Sequence, residues 1–159
     1  MVAVTHNDLD AETHLAVLTA VADSMEESVM ITEADPQGSN PRILYVNAAF
    51  TRLTGYGPAD AVGATPKLLQ GGLTDRLELN RLKAELPRSR HWRGCTYNYT
   101  KSGQPFLMEW EIVPIHGPDG VLRFYLTVQR RSGDAPARNP RRDASFRRWV
   151  RPARYARAS

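Results

Sequence analysis

The sequence holds a single cysteine, Cys95, among 159 residues. A lone thiol excludes an intrachain disulfide and any zinc site built from several cysteines, and it suits a reducing compartment. No apolar run approaches the roughly 18 residues of a membrane-spanning helix, so none is expected. Residues 1–10 have neither a basic segment nor an apolar stretch of the secretory kind, which predicts no signal peptide and a cytoplasmic location. There is no phosphate-cradling glycine loop, no Ser–His–Asp set and no metal-ligand cluster, so enzymatic activity is not expected. The four histidines, His6, His14, His91 and His116, are scattered. A haem ligand among them would have to face a pocket.

What remains is an ordinary globular composition, 42% apolar and 24% charged, with length for one compact domain and a short extension. The net charge of +4 is unevenly spread. Residues 130–159 carry ten arginines against Asp134 and Asp143, a net +8 that leaves −4 for residues 1–129. A nucleic-acid or anionic-surface partner can therefore be argued only for the arginine-rich tail. Its prolines and few aliphatics predict disorder from Ser132 onward, with Phe146, Trp149 and Val150 marking a segment (144–151) that could fold on binding.

Apolar residues Leu15, Leu18, Val21, Ala22 and Met25 recur at helical spacing and predict an amphipathic helix from Asp10 to Met25. Two short strands follow, 28–32 and 43–46, separated by a turn-rich segment at 35–41. Asn47 and Gly55 bracket a helix as N-cap and left-handed terminator. A single turn is expected at 58–62. A longer helix is expected from Thr74, as N-cap, to Leu86, where Pro87 ends it. Residues 92–100, 105–115 and 121–130 read as a meander joined by glycine turns, with Glu109 and Glu111 on the wet face of the middle strand. The sum is an α+β fold with a five-stranded antiparallel sheet, short helices on one face and an N-terminal flanking helix.

These segments resemble a known family. Ile43-Leu-Tyr-Val-Asn-Ala-Ala-Phe-Thr-Arg-Leu-Thr-Gly-Tyr56 is similar to the strand-plus-helix signature of PAS sensory domains. Gly63-Ala-Thr-Pro-Lys-Leu-Leu-Gln-Gly71 resembles the helix of the light-oxygen-voltage (LOV) subclass that reads Gly-x-Asn-Cys-Arg-Phe-Leu-Gln. Asn98–Phe106, Ile112–Ile115 and Phe124–Gln129 resemble its last three strands. The likeness spans residues 22–131, leaving 1–21 as leader and flanking helix and 132–159 as the basic tail.

The resemblance implies a flavin, FMN or FAD, held between helices and sheet. By position, Gln70 would meet the ribityl chain, Asn98 and Gln129 the polar edge of the ring, and Lys67 and Lys83 the phosphate. Amides suit a ring edge of alternating donors and acceptors because they supply either. Lysine neutralises phosphate without arginine's bidentate fork. The departures are as informative. Pro66 stands at the photoreactive cysteine, Thr65 at the asparagine before it, Met108 at a second ring-binding asparagine, and Thr127 at a small glycine. Strand alternation turns Cys95 outward. A cysteinyl–flavin adduct is therefore not expected.

His91-Trp-Arg-Gly94 and Glu109-x-Glu-Ile-x-Pro114 also resemble redox-sensing flavin PAS domains of nitrogen-fixation regulators. There, reduction protonates the ring and the amide of Gln129 could flip in response. The implied partners are a second copy, through the N-terminal helix and sheet, and an effector protein. The alternative is a cofactor-free interaction module whose pocket is filled by Met108 and Thr127.

Overall fold

The structure is a computed structural model that describes residues 10–34 and 41–134. The turn-rich 35–40 and the tail beyond 134, including the 144–151 segment, lie outside the described residues.

Helix α1 (Ala11–Ser24) is capped by Asp10, whose carboxylate accepts from the Thr13 amide. Strands β1 (Ser28–Glu33) and β2 (Ile43–Val46) pair antiparallel. Next come α2 (Ala48–Thr54), α3 (Pro58–Ala61), a 3₁₀ turn at Pro66–Leu69 and α4 (Arg76–Glu85). Strands β3 (Trp92–Tyr99), β4 (Pro105–His116) and β5 (Leu122–Asp134) complete the sheet in the order β2-β1-β5-β4-β3, antiparallel throughout.

The predicted α+β layout stands. The two hairpin turns use Gly103 and Gly120 at φ of 86° and 76°, where a side chain would be strained. Gly55 ends α2 at φ 80°, as its position suggested.

Successive strand residues point to opposite faces. One face carries Met30, Trp92, Phe106, Met108, Trp110, Ile112 and Tyr125 against Phe50, Ala61 and Leu69 of the helical segment. Leu79, Leu82 and Leu86 of the α4 region close over the same core. The other face bears Glu109 and Glu111, as expected. Burial works against charge on Glu111, but Arg93, His91 and Arg130 around it hold its carboxyl below the usual range.

Two boundaries differ from the sequence reading. Thr74 does not cap α4. Its hydroxyl donates to the Tyr97 carbonyl (2.8 Å) and accepts from the Gly71 amide (2.9 Å), tying the loop to β3. Asp75 caps instead, accepting from Leu77 and Glu78. Strand β5 also continues past residue 130. Gly133 and Asp134 pair with Leu107 and Phe106. Long-range backbone pairing here outweighs the polar composition of the segment.

Helix α1 is attached mainly at its C-terminal end. Asn47 Oδ1 accepts from the Val29 and Phe50 amides (2.9 and 3.0 Å), while Nδ2 donates to the Ala22 and Glu27 carbonyls (2.7 and 3.0 Å). Asp23 accepts from the Ala48 amide at the start of α2. The apolar stripe of α1 is left outside, with Leu15, Leu18 and Val21 at 66%, 63% and 54% exposure. It does not cover the chain's own sheet.

Candidate functional site

A cavity of about 550 Å³ lies between the inner face of the sheet and the helical segment. That falls within the roughly 300–1,000 Å³ of small-molecule sites. Its sheet wall is Met30 and Thr32 of β1, Asn98 of β3, Trp110 and Ile112 of β4, and Tyr125, Thr127 and Gln129 of β5. The two-residue strand period is what puts 110 and 112, and 125, 127 and 129, on one wall. The opposite wall is Thr65, Pro66, Lys67, Leu69 and Gln70 of the 3₁₀ turn, then Arg76, Leu79, Asn80, Leu82 and Lys83 of α4. Residues 76, 79/80 and 83 follow helical spacing and so share one face.

The structure thus brings seven of the eight sequence-selected residues to one cavity: Thr65, Lys67, Gln70, Lys83, Asn98, Thr127 and Gln129. Met108 is not among the lining residues. It is fully buried beside the cavity, and its thioether sulfur accepts from Asn98 Nδ2 at 2.9 Å. The 3₁₀ turn reaches the sheet through a close approach. A Cβ on Gly71 would fall inside the Tyr99 ring, whose hydroxyl accepts from the Leu73 amide (2.9 Å).

Two further amides have defined partners. Gln129 is 3% exposed, so it is no solvated strand end, and its Oε1 accepts from Ser28 Oγ at 2.7 Å. Gln70 Oε1 accepts from Arg76 Nη1 at 2.8 Å. Burial raises the Tyr125 hydroxyl above its usual range, keeping it a neutral donor in the wall. Lys67, Arg76 and Lys83 line the cavity, and among the described residues no carboxylate does. That charge set favours an anionic group on the ligand.

Pro66, in the lining, offers no nucleophile. Cys95 pairs with Glu109 on the opposite sheet face and packs with Tyr97, Leu107 and Leu73. Burial, helped by Glu78 and Glu109, pushes its thiol up to about 11, so it is a neutral thiol at physiological pH. Among the described residues, no group of His, Cys, Asp and Glu could hold a metal. No described helix is long and apolar enough to cross a membrane.

Sequence reasoning missed Arg76, Asn80 and Ser28. The helical spacing from Asn80 to Lys83 carries part of the signal. Ser28 could be found only through its register with Gln129 across the β1–β5 ladder.

The fold and cavity define a small α+β domain with a cavity between its sheet and its helical segment. The PAS domain family model matches residues 26–130, and the chain belongs to that family, one of sensory signalling modules. It is 32% identical over 106 residues to Blue-light-activated histidine kinase 1 of Erythrobacter litoralis, covering 67% of this chain and 29% of that protein. It is 33% identical over 105 residues to the nitrogen fixation regulatory protein of Klebsiella oxytoca, covering 66% and 21%. Among solved structures, one titled "Flavin Analogue Sheds Light on Light-Oxygen-Voltage Domain Mechanism" superposes with a TM-score of 0.62. That match has 26% identity and covers 78% of this chain and 87% of the other. An RNA-binding light-oxygen-voltage receptor superposes at 0.69 with 20% identity, covering 84% and 37%, a likeness of fold. The chain therefore spans less than a third of the curated relatives named here.

Proposed function

We propose that this PAS domain is a LOV-like sensor whose cavity holds a flavin, FMN or FAD, and signals without a cysteinyl adduct. One observation carries the reading: among the described residues, four amides (Gln70, Asn80, Asn98 and Gln129), three cations and no carboxylate line a single, otherwise largely apolar cavity. The residues fit the group. Asn98, Gln129 and Thr127 would meet the polar ring edge, and Ile112, Leu69 and Leu82 its apolar faces. Gln70 would meet the ribityl chain, with Thr65 beside it in the same turn. Lys67, Lys83 and Arg76 would neutralise a phosphate. Met108 supports Asn98 from behind, and the cavity beside it argues against a filled, cofactor-free core. A bound flavin would supply blue-light absorption and reversible redox chemistry.

The chain's own part is to hold, orient and report. Ser28 fixes the Gln129 amide at the cavity end of β5, next to the start of β1. Because an amide can present either its oxygen or its nitrogen, Gln129 can follow a change in ring protonation and alter its bond to Ser28. Pro66 supplies no thiol, and Cys95 lies behind the sheet, so light or redox state rather than adduct formation would be the input. A relative whose name refers to blue light supports the light input.

In this reading residues 22–131 are the sensory unit, 1–21 its flank and 132–159 a basic extension, working in the cytoplasm. PAS domains often dimerise and pass signals to effectors. Here the exposed Leu15–Leu18–Val21 stripe is the surface for a second copy, and an effector protein takes the output. The arginine-rich tail offers a weaker route to nucleic acid or an anionic surface. The test is whether the protein, purified or refolded with FMN, retains a visible flavin band. A colourless protein with no affinity for FMN would refute the reading.

A further inference from the structure

Trp110 lines the cavity and is 7% exposed. On the adjacent strand Trp92, 3% exposed, stacks on it with ring centroids 5.8 Å apart and planes 29° from parallel. The stack has a dedicated space. Gly94 is the register partner of Trp110, and a Cβ there would run into the Trp92 indole. On its other side Trp92 meets the surface. The Arg81 guanidinium sits 4.6 Å over its ring, and its Nε1–H donates to Glu85 Oε2 at 3.0 Å. The side chains of Arg81 and Glu85 are 43% and 48% exposed.

Packing alone asks only for apolar bulk at these positions. Two stacked indoles that run from a cavity wall to a half-exposed carboxylate add something bulk does not: a continuous path of readily oxidised rings with a proton acceptor at its outer end.

We propose, resting on the reading that the cavity holds a flavin, that Trp110 and Trp92 form a one-electron relay from solution to the photoexcited ring. Trp110 gives one electron to the excited ring, and Trp92 refills Trp110. The cationic Arg81 disfavours positive charge on oxidised Trp92, so its Nε1 proton passes to Glu85 and on to solvent. A soluble ene-diol donor of the ascorbate class then returns one hydrogen atom, an electron and a proton, to Trp92. Solvent would supply the proton that completes reduction of the ring. In sum, one electron and one proton leave the donor and reach the ring, and both tryptophans and Glu85 end as they began.

The test uses the full chain loaded with FMN, illuminated without oxygen in the presence of ascorbate, with loss of the visible band followed in time. Trp92→Phe should slow this photoreduction by roughly an order of magnitude while FMN affinity and dark reduction by dithionite stay unchanged. Trp110→Phe should in addition lengthen the fluorescence lifetime of bound FMN. Glu85→Gln, which keeps an oxygen to accept from Trp92 Nε1 but removes the basic carboxylate, should also slow photoreduction. In the flavin-free protein, the near-ultraviolet circular dichroism couplet of the stacked indoles should vanish in both tryptophan variants. Equal photoreduction in wild type, Trp92→Phe and Glu85→Gln, with FMN bound to all, overturns the relay and leaves the flavin site standing. Failure of the wild type to bind FMN overturns both.

Discussion

At the scale of single residues, Gln129 has the most to do. Its amide is buried, its oxygen is bonded to Ser28, and it lines the cavity from within β5. Gln129→Leu should leave the Ser28 hydroxyl unpaired, at about 1–3 kcal/mol of stability read from thermal melting. Losing the ring contact should weaken FMN by about tenfold, close to 1.4 kcal/mol, in a fluorescence titration. Cys95 makes a different prediction. The folded thiol keeps its proton to about 11, against 9.0 for an ordinary thiol. The unfolded chain binds fewer protons between those values, so this contribution is intact below about pH 9 and is lost as pH rises toward 11. Chemical unfolding across that range checks the sign, and thiol reagents at neutral pH should label Cys95 only after unfolding. Several of these placements are legible in the sequence because strands alternate. Counting from Asn98 puts Thr96 inward and Cys95 outward, and the register agrees. The Ser28–Gln129 bond is not legible, because it spans 101 positions and depends on the β1–β5 pairing.

Elements show where local rules suffice and where tertiary contacts decide. Asn47 and Gly55 bound α2 as local chemistry dictates. For α4 the sequence offers two adjacent caps, Thr74 and Asp75, and the choice falls to Asp75 because the Tyr97 carbonyl claims the Thr74 hydroxyl. Arg76 and Asn80 reach the cavity because Leu79, Leu82 and Leu86 set the rotation of the helix, which periodicity alone leaves open. The 35–40 segment lies outside the described residues. Asn47 is also the joint between α1 and α2. Asn47→Ala removes four hydrogen bonds from a buried position and should cost about 2 kcal/mol or more, measured by denaturant unfolding. The exposed stripe of α1 predicts the reverse pattern. Leu18→Glu should leave stability within about 0.5 kcal/mol while abolishing self-association in light scattering. A monomeric wild type would remove α1 as the pairing surface.

The whole molecule combines a mildly acidic sensory body with a basic extension, so the pI of 9.5 describes neither part. The α+β architecture, the β1–β2 hairpin and the β3–β4–β5 meander follow from patterning and turn chemistry that the sequence displays, whereas the β1–β5 pairing that joins them does not. The cavity does not, because its volume depends on how far Met108 and Thr127 intrude. Met108 turns out to pack on Asn98, while Thr127 merely lines the wall. The central claim is that this cavity is a flavin site that works without a cysteine adduct. Its most direct test is the visible absorption spectrum of the full chain after mixing with FMN and gel filtration, with riboflavin in parallel. A structured blue band should co-elute with the protein and recover after illumination without passing through an adduct. FMN should be retained better than riboflavin, because the lining cations Lys67, Arg76 and Lys83 would neutralise its phosphate. A protein fraction with no visible band, under conditions where its fold is intact, would contradict the account.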